Sequence, residues 1–139
     1  MTVAAFVKFE QFPGDLGLGV HNLNTGTVNV YLSNTAPNVA TMAVKADLAE
    51  ISTGNGYTGP VDIQNTYSQS GGVGTMTGVD VVITATGSVG PFRYAVLYND
   101  TPTSPADPLI GYYDYGSSIT MSNGETFTVD FGASVLTVT

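Results

Sequence analysis

The run Gly90–Gly116, GPFRYAVLYNDTPTSPADPLIGYYDYG, constrains the fold of this chain more than any other stretch. Successive side chains of an extended strand point to opposite faces. Phe92, Tyr94, Val96 and Tyr98 therefore share one face, and Arg93, Ala95 and Leu97 the other. Both faces are largely apolar, so the strand is covered on both sides, by a second sheet or by a partner chain. A loop carrying Pro102, Pro105 and Pro108 separates it from a second aromatic-rich strand pattern, Leu109–Tyr115. The pattern points to a β-sandwich with aromatic surfaces rather than to catalysis.

With 139 residues the chain has the size of one domain. A chain of this length buries roughly two-thirds of its unfolded surface. Only 10% of its residues are charged, against about 25% in an ordinary soluble domain. Hydrophobic residues make up 42%, which excludes the composition of a disordered chain. Thr, Ser, Asn and Gly take the place of the missing charge, and they favour strands joined by tight turns.

The formal net charge is −8, and the only cations are Lys8, Lys45 and Arg93. That is too few for a phosphate-tracking stripe, so sequence-independent nucleic-acid binding is not expected. Attachment to an anionic membrane is disfavoured for the same reason. There is no cysteine, hence no disulfide and no thiolate metal site. The N-terminus, MTVAAFVK, has no basic n-region and too short an apolar run for a secretory signal. No stretch approaches the ~20 apolar residues of a membrane-spanning helix. Synthesis and folding in the cytoplasm is the simplest expectation.

Along the chain, Phe6–Glu10 alternates weakly and reads as a first strand, and Gln11–Asn24 as a turn or a short helix opened by Pro13. Thr27–Ser33 alternates clearly and reads as a strand. Ala43–Ile51 is the best helix candidate, stopped by Gly54 and Gly56. Val61–Ser68, Val79–Thr86, Phe92–Asn99, Leu109–Tyr115, Glu125–Phe131 and Ser134–Thr139 read as further strands, with turns at Ser70–Gly74 and Ser122–Gly124. The sum is an all-β chain of about eight strands and one short helix, an antiparallel β-sandwich of jelly-roll type.

Residues able to carry chemistry are few. His21 is the only histidine and sits among apolar positions, as a packed histidine does. No G-x-S-x-G elbow occurs. Asp100, Asp107 and Asp114 bracket the proline loop and offer oxygen ligands to calcium, but without EF-hand spacing they read as turn chemistry. Gly54-Asn55-Gly56 and Gly71-Gly72-Val73-Gly74 lack the Lys-Ser/Thr of a phosphate loop and read as turns. No catalytic residue, metal or cofactor is expected. Arg93 needs a partner on its apolar strand: either an internal ion pair with Asp114 or Asp130, or an inter-subunit clamp. The tyrosines Tyr94, Tyr98, Tyr112, Tyr113 and Tyr115 suit a protein interface, with stacking on sugars as the alternative.

The phrases GVHNLNTGTVNVYLSNTAP, AVKADLAEISTGNGY, GPFRYAVLYNDT and DPLIGYYDYGSSITMSNGETFTVDF resemble a group of small β-rich virion structural proteins of tailed bacteriophages. The resemblance covers nearly the whole chain and rests on no catalytic signature. It implies a capsid decoration, or cement, protein that binds the lattice of a major capsid protein on the capsid exterior. A tail-associated β-module (fibre, baseplate or tube component) and a carbohydrate-binding module are the alternatives. A homo-oligomer, a trimer before a dimer, is expected. The segments expected to make contacts are Phe6–Phe12, the loop Asn99–Leu109 and Tyr112–Tyr115. In them, with Arg93, the candidate interface residues are Phe6, Phe9, Phe12, Asp107, Leu109, Tyr112, Tyr113 and Tyr115.

Overall fold

The computed structural model describes residues 4–139; Met1–Val3, the start of the N-terminal stretch read above, lie outside them. The chain is mostly β. Its elements are β1 (Phe6–Lys8), α1 (Phe12–Gly17), β2 (Val28–Ser33), β3 (Val61–Asp62), β4 (Thr66–Ser70), β5 (Val73–Thr77), β6 (Val81–Thr84), β7 (Val89–Asn99), β8 (Leu109–Met121), β9 (Thr126–Val129) and β10 (Leu136–Val138). They form a five-stranded sheet, β1-β8-β7-β2-β3, a three-stranded sheet, β10-β5-β4, and a two-stranded sheet, β6-β9. All pairings are antiparallel.

The β7 strand is covered on both faces, as its composition requires. Phe92, Ala95 and Leu97 enter a core shared with Val28, Val30 and Leu32 of β2, Met76 of β5, Ile83 of β6 and Val129 of β9. Tyr94, Val96 and Tyr98 enter a second cluster with Phe9, Tyr31, Leu48 and Leu109, overlaid by Val39 and Met42. The cover of this second face is the chain's own coil. Phe92 departs from the strict alternation expected of it. A register shift between Phe92 and Tyr94 moves its side chain to the face of Ala95 and Leu97.

The helix expected over Ala43–Ile51 does not form. Only a 3-10 turn exists there, Lys45–Asp47. Asp47 Oδ2 accepts the N–H groups of Ala43 and Val44 at 2.9 and 3.1 Å, which closes the turn locally. Leu48 then leaves in an extended conformation and is buried. The segment works as a lid on the sheet rather than as a helix. Ile51 N–H bonds Leu32 C=O at 3.0 Å, and the Tyr57 hydroxyl accepts Leu32 N–H at 3.0 Å while donating to Glu50 Oε2 at 2.6 Å. Glu50 also holds Lys45 Nζ at 3.0 Å. These bonds satisfy the edge of β2 where β3 stops. The one short α-helix among the described residues is instead α1, with a proline in its first turn, inside Gln11–Asn24, which was read as a turn or a short helix.

Two further boundaries differ from the sequence reading. Val61–Ser68 splits into β3 and β4, because Gln64 takes a positive φ and its N–H turns back to Asp62 Oδ1 at 2.7 Å. Tyr115 does not end its strand: β8 runs on to Met121.

Candidate binding groove

One concave feature lies where β9 faces the inner side of β7 and β8. Its volume is about 260 Å³, and its walls are Arg93 and Ala95 of β7, Tyr113 and Tyr115 of β8, Thr126–Asp130 at β9, and Ala4. A bulge builds it. Phe92 pairs with Ile119 and Tyr94 with Asp114. Between those pairs β7 holds Arg93 alone, while β8 holds Tyr115, Gly116, Ser117 and Ser118. The excess chain must leave the plane of the sheet, which re-aims its side chains. Gly116 permits this turn at φ 102°, a conformation that glycine adopts without steric cost. Asp114 Oδ1 accepts Gly116 N–H at 2.8 Å, and the Ser118 hydroxyl meets Asn34 Oδ1 at 2.6 Å.

Tyr115 is thereby pushed out, and 55% of its surface is exposed. Its ring is held rather than free: it leans on Phe127 at 5.7 Å between centroids, and Phe127 meets Phe92 edge-on at 4.9 Å. Opposite the bulge, Arg93 takes the internal partner anticipated for it. Nε and Nη2 donate to Asp114 Oδ1 and Oδ2 at 2.8 and 3.1 Å, and the guanidinium lies 5.4 Å from the Tyr94 ring centre. The fork holds the Asp114 carboxyl below its usual range, helped by Gly116 N–H, and raises Arg93 in turn. Both side chains stay partly open to water, so the pair orients more than it stabilises. At the groove floor, burial and then Asp130 push the Tyr113 hydroxyl up to about 12, so Tyr113 is neutral.

The residues expected at an interface do not form one surface. Phe9, Phe12, Leu109 and Tyr113 are interior. Phe9 and Leu109 belong to the outer cluster, Phe12 and Tyr113 to the inner core, with Phe6 packed against it. Tyr112 is partly buried between Phe9 and Tyr94, at centroid distances of 5.8 and 5.9 Å. Asp107 lies at the proline loop, where burial and the neighbouring Asp100 raise its carboxyl pKa. Asp114 is engaged elsewhere with Arg93, and among the described residues no group of three His, Cys, Asp or Glu could hold a metal ion. Of the nine candidates, Arg93, Tyr113 and Tyr115 come together at the groove. Phe127, Thr126 and Thr128 complete it and were not singled out in the sequence; Asp130, named there only as a possible partner of Arg93, lines it too. Gly116, just past the Leu109–Tyr115 pattern, was a sign of the bulge that re-aims Tyr115, but it carries no signal for the β9 residues.

His21 sits apart from the groove and is packed. It is 6% exposed and lies 5.1 Å from the Phe12 ring. Asn99 Nδ2 and His21 Nδ1 are 3.2 Å apart. With Asn99 donating, the neutral ring carries its proton on Nε2, which has no protein partner. Burial lowers the His21 pKa, and Asp15 on α1 opposes that only in part. The folded state therefore resists protonation more than the unfolded chain, whose histidine titrates near 6.5. The contribution of neutral His21 is complete above about pH 6.5 and is lost as pH falls from there through the lower folded value. Urea melts at pH 7.5 and 5.5 are expected to show a drop in the wild type that His21→Gln does not share. Equal drops in both proteins would contradict this reading.

Comparison with protein-family models, with curated proteins and with solved structures gives no match for this chain.

Proposed function

We propose that this chain is a non-enzymatic virion structural protein of a tailed bacteriophage, a decoration protein on the outside of a major capsid protein lattice. The family resemblance supplies the virion setting. The observation that carries the reading is the open edge of β8. The β1 strand pairs only with Gly111, Tyr112 and Tyr113, and among the described residues no strand covers the outer edge of β8 beyond them. The stretch Tyr115–Thr120 is mostly exposed and carries no charge. Proteins guard such edges with lysine, proline, bulges or a covering segment. The Tyr115–Ser118 bulge interrupts this edge, but past it Ile119–Met121 is uncharged and leaves room for an added strand, whether from a lattice protein or from a second copy.

In this reading the five-stranded sheet and the two smaller sheets are the layers of a jelly-roll-like sandwich. The acidic surface keeps the protein off packaged nucleic acid. Binding only the assembled, expanded lattice stabilises that state by linkage, and repetition over the shell lets a modest single contact suffice. A symmetric trimer at a lattice three-fold axis fits this use. The copy number per major capsid protein in purified particles tests the proposal, and lattice-wide occupancy is the expected result.

A further inference from the structure

We propose that the groove between β8 and β9 binds a neutral sugar, with Tyr115 as the stacking platform. Three features carry this. Tyr115 presents a ring that is open to water yet braced by Phe127, so little side-chain freedom is lost when a ligand stacks on it. Planar polar groups with unspent capacity flank it. Arg93 uses Nε and Nη2 on Asp114, which leaves Nη1 as a donor. Asp130 Oδ1 accepts Gly132 N–H at 2.8 Å, which leaves Oδ2 as an acceptor. These two groups can meet neighbouring hydroxyls of a ring whose C–H face lies on Tyr115.

Size and charge choose the ligand class. The volume, about 260 Å³, falls just under the usual 300–1,000 Å³ of small-molecule sites. It takes a hexose ring with part of a second, not an extended peptide. Arg93 and Asp114 cancel, so Asp130 leaves the site with a net negative charge, in a chain of net charge −8. Acidic sugars are repelled and uncharged ones are not. This site does not depend on the capsid reading.

The test is titration of the ¹⁵N-labelled chain with methyl glucoside, methyl galactoside, N-acetylglucosamine and glucuronate, each to about 50 mM, well above a Kd of ~1 mM. The expected result is saturable shifts of Tyr115, Phe127 and Asp130 amides with at least one neutral sugar. Tyr115→Ala should weaken that binding roughly tenfold or more, equivalent to the loss of a good contact. Asp130→Asn should weaken it while keeping the spectrum of a folded chain. Tyr112→Phe, on the other face of the sheet, should leave it unchanged. No shift with any neutral sugar, binding retained in Tyr115→Ala, or tighter binding of glucuronate would each overturn the proposal.

Discussion

Phe92→Ala is expected to destabilise the chain by about 3–5 kcal/mol, the usual cost of emptying a buried aromatic site. Phe92 is 1% exposed and stands where the five-stranded sheet meets β9. Its ring meets Phe127 edge-on at 4.9 Å, and Phe127 in turn supports Tyr115. Truncation removes the ring's own burial and leaves a hole between the two sheets. The β6–β9 ribbon has only two strands, and an isolated two-stranded ribbon is marginal without a packed face. Urea denaturation should show a lower midpoint with an unchanged slope. A loss below about 1 kcal/mol, the scale of an ordinary surface change, would place Phe92 elsewhere, as strict strand alternation with Tyr94 does.

Gly56→Ala is expected to cost about 3 kcal/mol or more, and to lower the melting temperature by roughly 10 °C. Two penalties combine there. Gly56 has φ 99°, where a side chain is strained. An added Cβ would also press directly on the Thr84 carbonyl oxygen, which is backbone and cannot swing aside. Relief by moving the loop is blocked. Thr86 N–H bonds Asn55 C=O at 2.8 Å, and Asn55 Nδ2 bonds Ser88 C=O at 2.9 Å. Gly54→Ala separates the two penalties: φ is 124° there, but nothing lies within 4 Å of the added atom. Gly54→Ala should therefore lose clearly less. Equal losses would mean that the loop does not approach β6 this closely.

The legible parts of this chain were those with a strong local signal. The two-faced pattern of Phe92–Tyr98 required cover on both sides of β7, and it has it. Thr27–Ser33 alternates and is a strand within one residue. Gln11–Asn24 was read as a turn or a short helix opened by Pro13, and α1 lies there. What alternation cannot show is where it is interrupted. The Phe92–Tyr94 register shift moved a core residue to the other face, and the Tyr115–Ser118 bulge turned a presumed strand end into a groove wall. Such breaks come from the pairing of two strands, so one strand's pattern does not contain them.

The Ala43–Ile51 segment failed for a different reason. Its helical spacing is real, but Asp47 bonds backward to Ala43 and Val44, and Leu48 is worth more buried on Tyr31 and Val96 than on a helix face. Arg93 was read as a charge needing either an internal carboxylate, Asp114 or Asp130, or an inter-subunit contact, and it pairs with Asp114. Phe9, Phe12 and Leu109 were read as contact residues and are interior, since an aromatic or aliphatic residue near a loop looks the same in either setting.

The most direct test of the decoration proposal is the copy number of this chain relative to the major capsid protein in purified particles, by quantitative mass spectrometry. The account predicts lattice-wide occupancy, near one copy per capsid subunit or one per about three for a site on a symmetry axis. A handful of copies per particle would contradict it and move the chain to the tail, and absence from the particle would remove the virion role altogether.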